Sequence, residues 1–214
     1  HYALRNDSLY LNTIFYKERQ PTEKQRLNGK IRLAVSADAE QLLRIYAPYI
    51  EHTSYTFEYD VPSLEDFCRR IEEISKKYPW IVYEENGKIL GYAYGGPLYT
   101  RAAYQWTVED SIYVSPEAKG KGIGTLLLEK LLGILQKQGF CICYSLIVSD
   151  NLPSLKMHEK FGFTECGFAG NTGFKFGEWH SIVTLEKRLN EPLSPPKPII
   201  PFPELKISFS DEEK

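Results

Sequence analysis

The chain has no apolar run long enough to cross a bilayer, no CxxC pair and no excess of basic residues. A membrane-spanning helix needs about 20 consecutive apolar residues, so no membrane partner is expected. The four cysteines lack metal-ligand spacing, and no paired histidines accompany them, so no metal site is expected. Cys141 and Cys143 alternate within a hydrophobic run, which puts both on one face of a strand as core thiols. Lys and Arg number 26 against 28 Asp and Glu, and the net charge of -2 gives no electrostatic reason to expect a nucleic-acid partner. No signal peptide is legible, and a reducing cytoplasm is the compartment that fits free thiols. There is no internal repeat.

What is present is enough apolar and aromatic material for one ordinary domain with extensions. Residues 1–28 are polar and irregular and read as an N-terminal extension; 29–190 carry periodic patterns; 191–214 form a proline-rich tail, extended because proline lacks a ladder donor. Alternation predicts a strand over 31–35, after which Ser36 offers an N-cap to a helix carrying Leu42, Leu43, Tyr46, Tyr49 and Ile50. Ser63 and Asp66 form a capping-box pattern ahead of Phe67, Ile71 and Ile74. Asn86-Gly87, between two apolar runs, signals a tight hairpin. A strand over 107–114, a helix carrying Ile123, Leu127, Leu131 and Leu135, and a strand over 141–148 follow. A short helix from about Pro153 and two strands centred on 164–169 and 182–185 complete the order β-α-α-β-β-β-α-β-α-β-β. The fold class is α/β, a mixed α+β twisted sheet flanked by helices.

The richest segment is Lys119-Gly120-Lys121-Gly122-Ile123-Gly124-Thr125, between the strand over 107–114 and the long helix. Alternating glycines let the main chain approach a ligand, and unsatisfied N–H groups at a helix start favour an anion. Neither GxxxxGK[ST] nor the dinucleotide fingerprint fits, the latter because Thr125 stands where Gly or Ala is needed. Phosphate binding and a plain helix start both remain open on this segment alone.

Context separates them. The segment resembles the acyl-CoA pyrophosphate loop [QR]xxGxG/A of GNAT acetyltransferases, with Lys119 in place of Gln or Arg. Dispersed motifs sharpen the match: Thr56-Phe57, Tyr78-Pro79-Trp80, Tyr94-Gly95-Gly96-Pro97, the run Arg101 to Glu109, Met157-His158-Glu159 and Gly177-Glu178-Trp179-His180. Together they resemble the phosphinothricin and methionine sulfone or sulfoximine N-acetyltransferases over about residues 30–190.

That resemblance implies transfer of an acetyl group from acetyl-CoA to the primary amine of a small amino-acid-like acceptor. It implies Glu109 as general base, while on sequence alone Glu109 and Asp110 read as ordinary strand-end carboxylates. Trp106, Val108 and Ile112 are the neighbours expected to limit its solvation. His158 stands where many GNAT enzymes carry a tyrosine acid; it relays a proton or, as a packing histidine, orients the pantetheine. The resemblance assigns acetyl-CoA contacts to Asn151 and Ser154, to Ile112, Tyr113 and Val114 through the main chain, and to the 119–125 loop. It assigns the acceptor to Phe57, Arg101 and Tyr104, the arginine offering a planar fork to a carboxylate or phosphinate. Tyr99 and Leu128 stand where some members carry Lys and Tyr, which makes a less anionic acceptor expected. His180 is expected to be structural or at a subunit contact. The family commonly forms homodimers. Polyamine or protein N-terminal acetylation, or a weak acyl-CoA-binding module, are the alternatives.

Overall fold

A computed structural model describes residues 27–207 and residue 209 of the chain. Seven strands form one sheet in the order β1-β2-β3-β4-β5-β7-β6. They are β1 (Lys30–Leu33), β2 (Trp80–Glu85), β3 (Lys88–Gly96), β4 (Thr107–Val114), β5 (Ile142–Val148), β6 (Thr164–Lys175) and β7 (Glu178–Arg188). The helices are α1 (Ala39–His52), α2 (Leu64–Ser75), α3 (Ile123–Gln138) and α4 (Leu152–Lys160). The element order and the mixed sheet are those expected from the periodicities.

Local chemistry explains most of the boundaries. Ser63 accepts the Asp66 N–H at 3.1 Å and starts α2. Asn86 and Gly87, at φ 52° and 78°, close the β2–β3 hairpin with the positive φ angles a tight turn requires. Two expectations shift. Ser36 begins a single 3-10 turn, and Asp38, whose side chain is engaged by Arg32 and the Val35 N–H, precedes α1 instead. The last two strands run well past the apolar stretches 164–169 and 182–185, because their outer halves pair with each other as a two-stranded arm of mostly exposed residues, Lys175 excepted. Alternation with a buried face is absent there, so the sequence carries no signal for them.

Both faces of the sheet centre are covered, so Trp80, Ile81, Val82 and Tyr83 are all buried in one continuous apolar run. Ile81 and Tyr83 join Ala93 and Val108 under Leu127, Leu128, Leu131 and Leu135 of α3. Trp80, Val82 and Tyr92 face Leu42, Ile45, Tyr46 and Ile50 of α1 and Phe67 and Ile71 of α2. Each of these leucines or isoleucines, fully buried, stabilises the fold by about 1.5–3 kcal/mol. The segment after β7 docks rather than hanging free. Phe202 is buried, Trp106 donates its indole N–H to Lys197 O at 2.7 Å, and Gln138 donates to both Lys77 O and Ile200 O at 2.8 Å.

The site is set by one topological feature. All neighbouring strands are antiparallel except β4 and β5, which are parallel and pair only at Thr107↔Ile142, Val108↔Cys143 and Glu109↔Tyr144. Beyond Glu109 and Tyr144 the two strands run on to Val114 and Val148 without pairing to each other, and the sheet opens between them.

Candidate active site

The opening between β4 and β5 holds a cleft of about 430 Å³. Strand alternation gives it two sides. Val108, Ile112 and Val114 pack toward α3, and Asp110 lies in that same row; Glu109 and Tyr113 project to the side of α1. The α1 side is closed by Phe57 and Thr56 of the loop after α1 and by Thr172 of β6, the α3 side by Asn151, Ser154 and His158.

Glu109 lines the cleft in a half-buried position. Burial, and then the adjacent Asp110 charge, push its carboxyl up to about 7. Its solvation is therefore not limited by Trp106, which is occupied with the C-terminal segment, nor by Val108, which is in the core on the other side of β4. Only Ile112 of the three neighbours also lines the cleft.

His158 is buried on α4 with both ring nitrogens engaged. Nδ1 lies 2.8 Å from Ser154 O, and Nε2 lies 3.0 Å from an Asp110 carboxylate oxygen and 2.9 Å from Ser145 Oγ. Burial opposes a charged ring, but the Asp110 hydrogen bond and charge, with the Ser154 carbonyl, outweigh it and lift His158 above the ordinary histidine value. Asp110 also accepts from the buried Cys143 thiol at 3.6 Å. Sequence reasoning passed over Asp110 and Ser145. The available signal was period two: Asp110 falls in the apolar row of Val108, Ile112 and Val114, where a carboxylate requires a buried partner.

The 119–125 loop leads into α3. Gly120 and Gly122 take φ 79° and 90°, the left-handed region open to glycine, and Gly122 is the N-cap residue without a side-chain cap. Leu126 makes the first return bond, to Gly122 O at 3.1 Å, so the N–H groups of Ile123, Gly124 and Thr125 have no intrahelical acceptor. Lys121 is exposed beside them, and the Lys119 ammonium lies 4.6 Å from the Tyr49 ring centroid. Such a helix start is an anion site by geometry and dipole.

Ser115 N–H bonds to Leu90 O and Tyr92 pairs with Tyr113, so the main-chain groups of Ile112 and Val114 point away from β3 into the opening. Those of Val114 are met by Tyr49, which donates its hydroxyl to Val114 O at 2.7 Å and accepts its N–H at 3.4 Å. Asn151 lines the cleft and caps α4, accepting Ser154 N–H at 3.4 Å.

The loop of residues 53–57 is held by the buried Lys175, which donates to Thr53 O at 2.9 Å and Thr56 O at 2.8 Å. A Cβ on Gly173 would fall inside the Phe57 ring. Gly173→Ala is therefore expected to displace Phe57 and lower stability by about 1–3 kcal/mol, measured by urea unfolding. Arg101 and Tyr104 lie outside this cleft, on an exposed turn before β4, with Tyr104 against Tyr99 at 4.6 Å between ring centroids. Leu128 is not near the cleft: it is fully buried in the core under α3 and bears on packing, not on an acceptor. His180 is half-buried and its Nε2 lies 3.1 Å from Lys175 O.

Residues 31–183 match the family model of the acetyltransferase (GNAT) domain. The chain belongs to the GNAT acetyltransferase family. It is 34% identical over 188 residues to phosphinothricin N-acetyltransferase of Streptomyces viridochromogenes, covering 88% of this chain and 98% of that protein. It is 31% identical over 166 residues to the L-methionine sulfoximine/L-methionine sulfone acetyltransferase of Salmonella typhimurium, covering 77% and 97%. Among solved structures, the GNAT superfamily phosphinothricin acetyltransferase of Sinorhizobium meliloti in complex with acetyl-CoA is 34% identical, with a TM-score of 0.76 over 81% of this chain and 98% of that one. This GNAT protein is thus an N-acetyltransferase with acetyl-CoA as its acyl donor. Its own residues suit that donor: a helix start of free N–H groups for an anion, and a β4 edge that faces the opening without a β5 partner for an extended amide-bearing arm. Among the described residues no cluster of His, Cys, Asp and Glu could hold a metal ion.

Proposed function

We propose that the enzyme acetylates the primary amine of a small amino-acid-like acceptor of the phosphinothricin, methionine sulfone or methionine sulfoximine type, with Glu109 as general base. The observation that carries this reading is a carboxyl raised to about 7 lining the cleft at the parting of β4 and β5. An ammonium must lose a proton before it attacks a thioester, and a base with that value holds and releases protons at neutral pH. His158, on the opposite side of β4, supplies the proton that the departing thiolate requires. The acyl donor lies with its pyrophosphate at Lys119–Thr125 and its arm along Ile112–Val114, Asn151 and Ser154.

The acceptor lies on the side of Phe57, whose ring is fixed by Gly173 and the Lys175-anchored loop. Arg101 and Tyr104 lie off this chain's own cleft, and the reading has them complete the acceptor site across a cytoplasmic homodimer. The exposed Phe168, Phe174, Phe176 and Trp179 of the β6–β7 arm support an interface between copies. Residues 29–190 are the acetyltransferase domain in this reading, with 1–28 and 191–214 its extensions.

The test is thiol release from acetyl-CoA across free amino acids, methionine sulfone, methionine sulfoximine, phosphinothricin and polyamines. Turnover confined to polyamines would overturn the acceptor class. Arg101→Ala is expected to raise KM for acidic acceptors several-fold more than for uncharged amines; equal rises remove its carboxylate role.

A further inference from the structure

We propose that Asp110 is the positioning residue of the reaction: from the face of β4 opposite Glu109, it holds the His158 ring doubly protonated at the edge of the cleft. The inference rests on the roles of Glu109 and His158 given above and adds the residue that couples them.

The geometry leaves little freedom. A peptide carbonyl only accepts hydrogen bonds, so the Ser154 O contact at 2.8 Å requires a proton on Nδ1. An ionised carboxylate also only accepts, so the Asp110 contact at 3.0 Å requires a second proton on Nε2. Ser145 Oγ, 2.9 Å from Nε2, is neutral and adds a further polar contact there. The pair is almost fully enclosed, with side-chain exposures of 3% and 1%, so neither charge has water as an alternative partner. Beside the pair stands Glu109 on β4, while the Cys143 thiol of β5 donates to Asp110 and Lys187 of β7 acts on that thiol at longer range. On His158 itself only Asp110 and the Ser154 carbonyl act to keep the proton.

One strand thus carries the two carboxylates in adjacent positions with opposite tasks. The Asp110 charge keeps a proton on His158 and raises Glu109 on the other face. At neutral pH the base is partly free to accept a proton while the ring is still able to give one. In the step itself a His158 N–H bond breaks and an S–H bond forms on the departing thiolate, leaving a neutral ring beside an unchanged Asp110 carboxylate. Glu109 separately takes the proton of the amine.

The experiment is the ring-nitrogen NMR titration of His158 in the full-length enzyme, its signal assigned by loss in His158→Gln. In the wild type, His158 is expected to stay doubly protonated above the ordinary histidine value of about 6.5. In Asp110→Asn it is expected to lose its second proton at lower pH than in the wild type. The pH profile of kcat/KM should move to lower pH on both limbs in that variant, with kcat about 10²-fold lower, the scale of losing a placed proton donor. A wild-type His158 that gives up its second proton at or below the ordinary histidine value of about 6.5 overturns the proposal, and so does an Asp110→Asn profile that falls in height with both limbs in place. The wild-type titration decides the matter even if Asp110→Asn does not fold. Ring protonation is read without turnover, so an error in the base assignment shows separately, as an acid limb retained in Glu109→Gln.

Discussion

Glu109→Gln is expected to lower kcat by about 10²–10⁴-fold, the usual contribution of a placed general base, while the affinity for acetyl-CoA measured by calorimetry stays unchanged. The substitution keeps shape and removes the proton acceptor from a cleft position whose carboxyl stands at about 7. The sign of the pH dependence follows. The base works deprotonated, so the wild-type kcat/KM rises with pH through about 7 and falls about tenfold per unit below it. In Glu109→Gln that acid limb disappears. Full turnover in the variant would remove Glu109 from the chemistry, and a loss of acetyl-CoA affinity would recast it as a binding residue. Because burial is the larger cause of the raised value and Asp110 the second, opening the cleft to water should move the limb further than replacing Asp110.

Gly122→Val is expected to weaken acetyl-CoA binding by about 10–100-fold. Gly122 sits at φ 90°, and forcing a non-glycine residue into that region costs about 1–3 kcal/mol, most for a β-branched side chain. About 1.4 kcal/mol is a factor of ten in an equilibrium constant. The protein can relieve the strain only by moving the turn, which withdraws the N–H groups of Ile123, Gly124 and Thr125 from their common direction. A Cβ at Gly122 meets only Leu27 Cδ1, at 4.0 Å, so crowding within the chain is not the cause. Gly122→Ala therefore isolates the backbone effect, and Val adds bulk where the anion approaches. Calorimetric titration with CoA checks both, and undiminished affinity in Gly122→Val would contradict the loop as the pyrophosphate site.

Much of this protein is legible residue by residue because the governing rules are local. The Ser63 cap, the Asn86-Gly87 turn, the 107–114 strand and the glycine-rich entry to α3 each follow from a few adjacent side chains. The dispersed motifs from Thr56 to His180 reached the family for the same reason, since each is a short string that survives on its own. What failed was whatever depends on a partner far along the chain. Trp106 looked like a wall beside Glu109, yet its indole is claimed by Lys197 O. Leu128 looked like a change in the acceptor pocket, yet the packing of α3 on the sheet turns it fully inward. The outer halves of β6 and β7 pair only with each other, and no buried face imprints a pattern on them.

The sequence by itself determined the order of elements, the glycine-rich helix start and the family, because propensity, capping and glycine geometry act within a few residues. Only the tertiary structure decided that β4 and β5 part after Glu109, and that Asp110 meets His158 across 48 positions of chain. A carboxylate's role depends on what surrounds it. Two adjacent acidic residues read alike in a sequence; strand alternation sends Glu109 to the α1 side of the cleft and Asp110 to the imidazole.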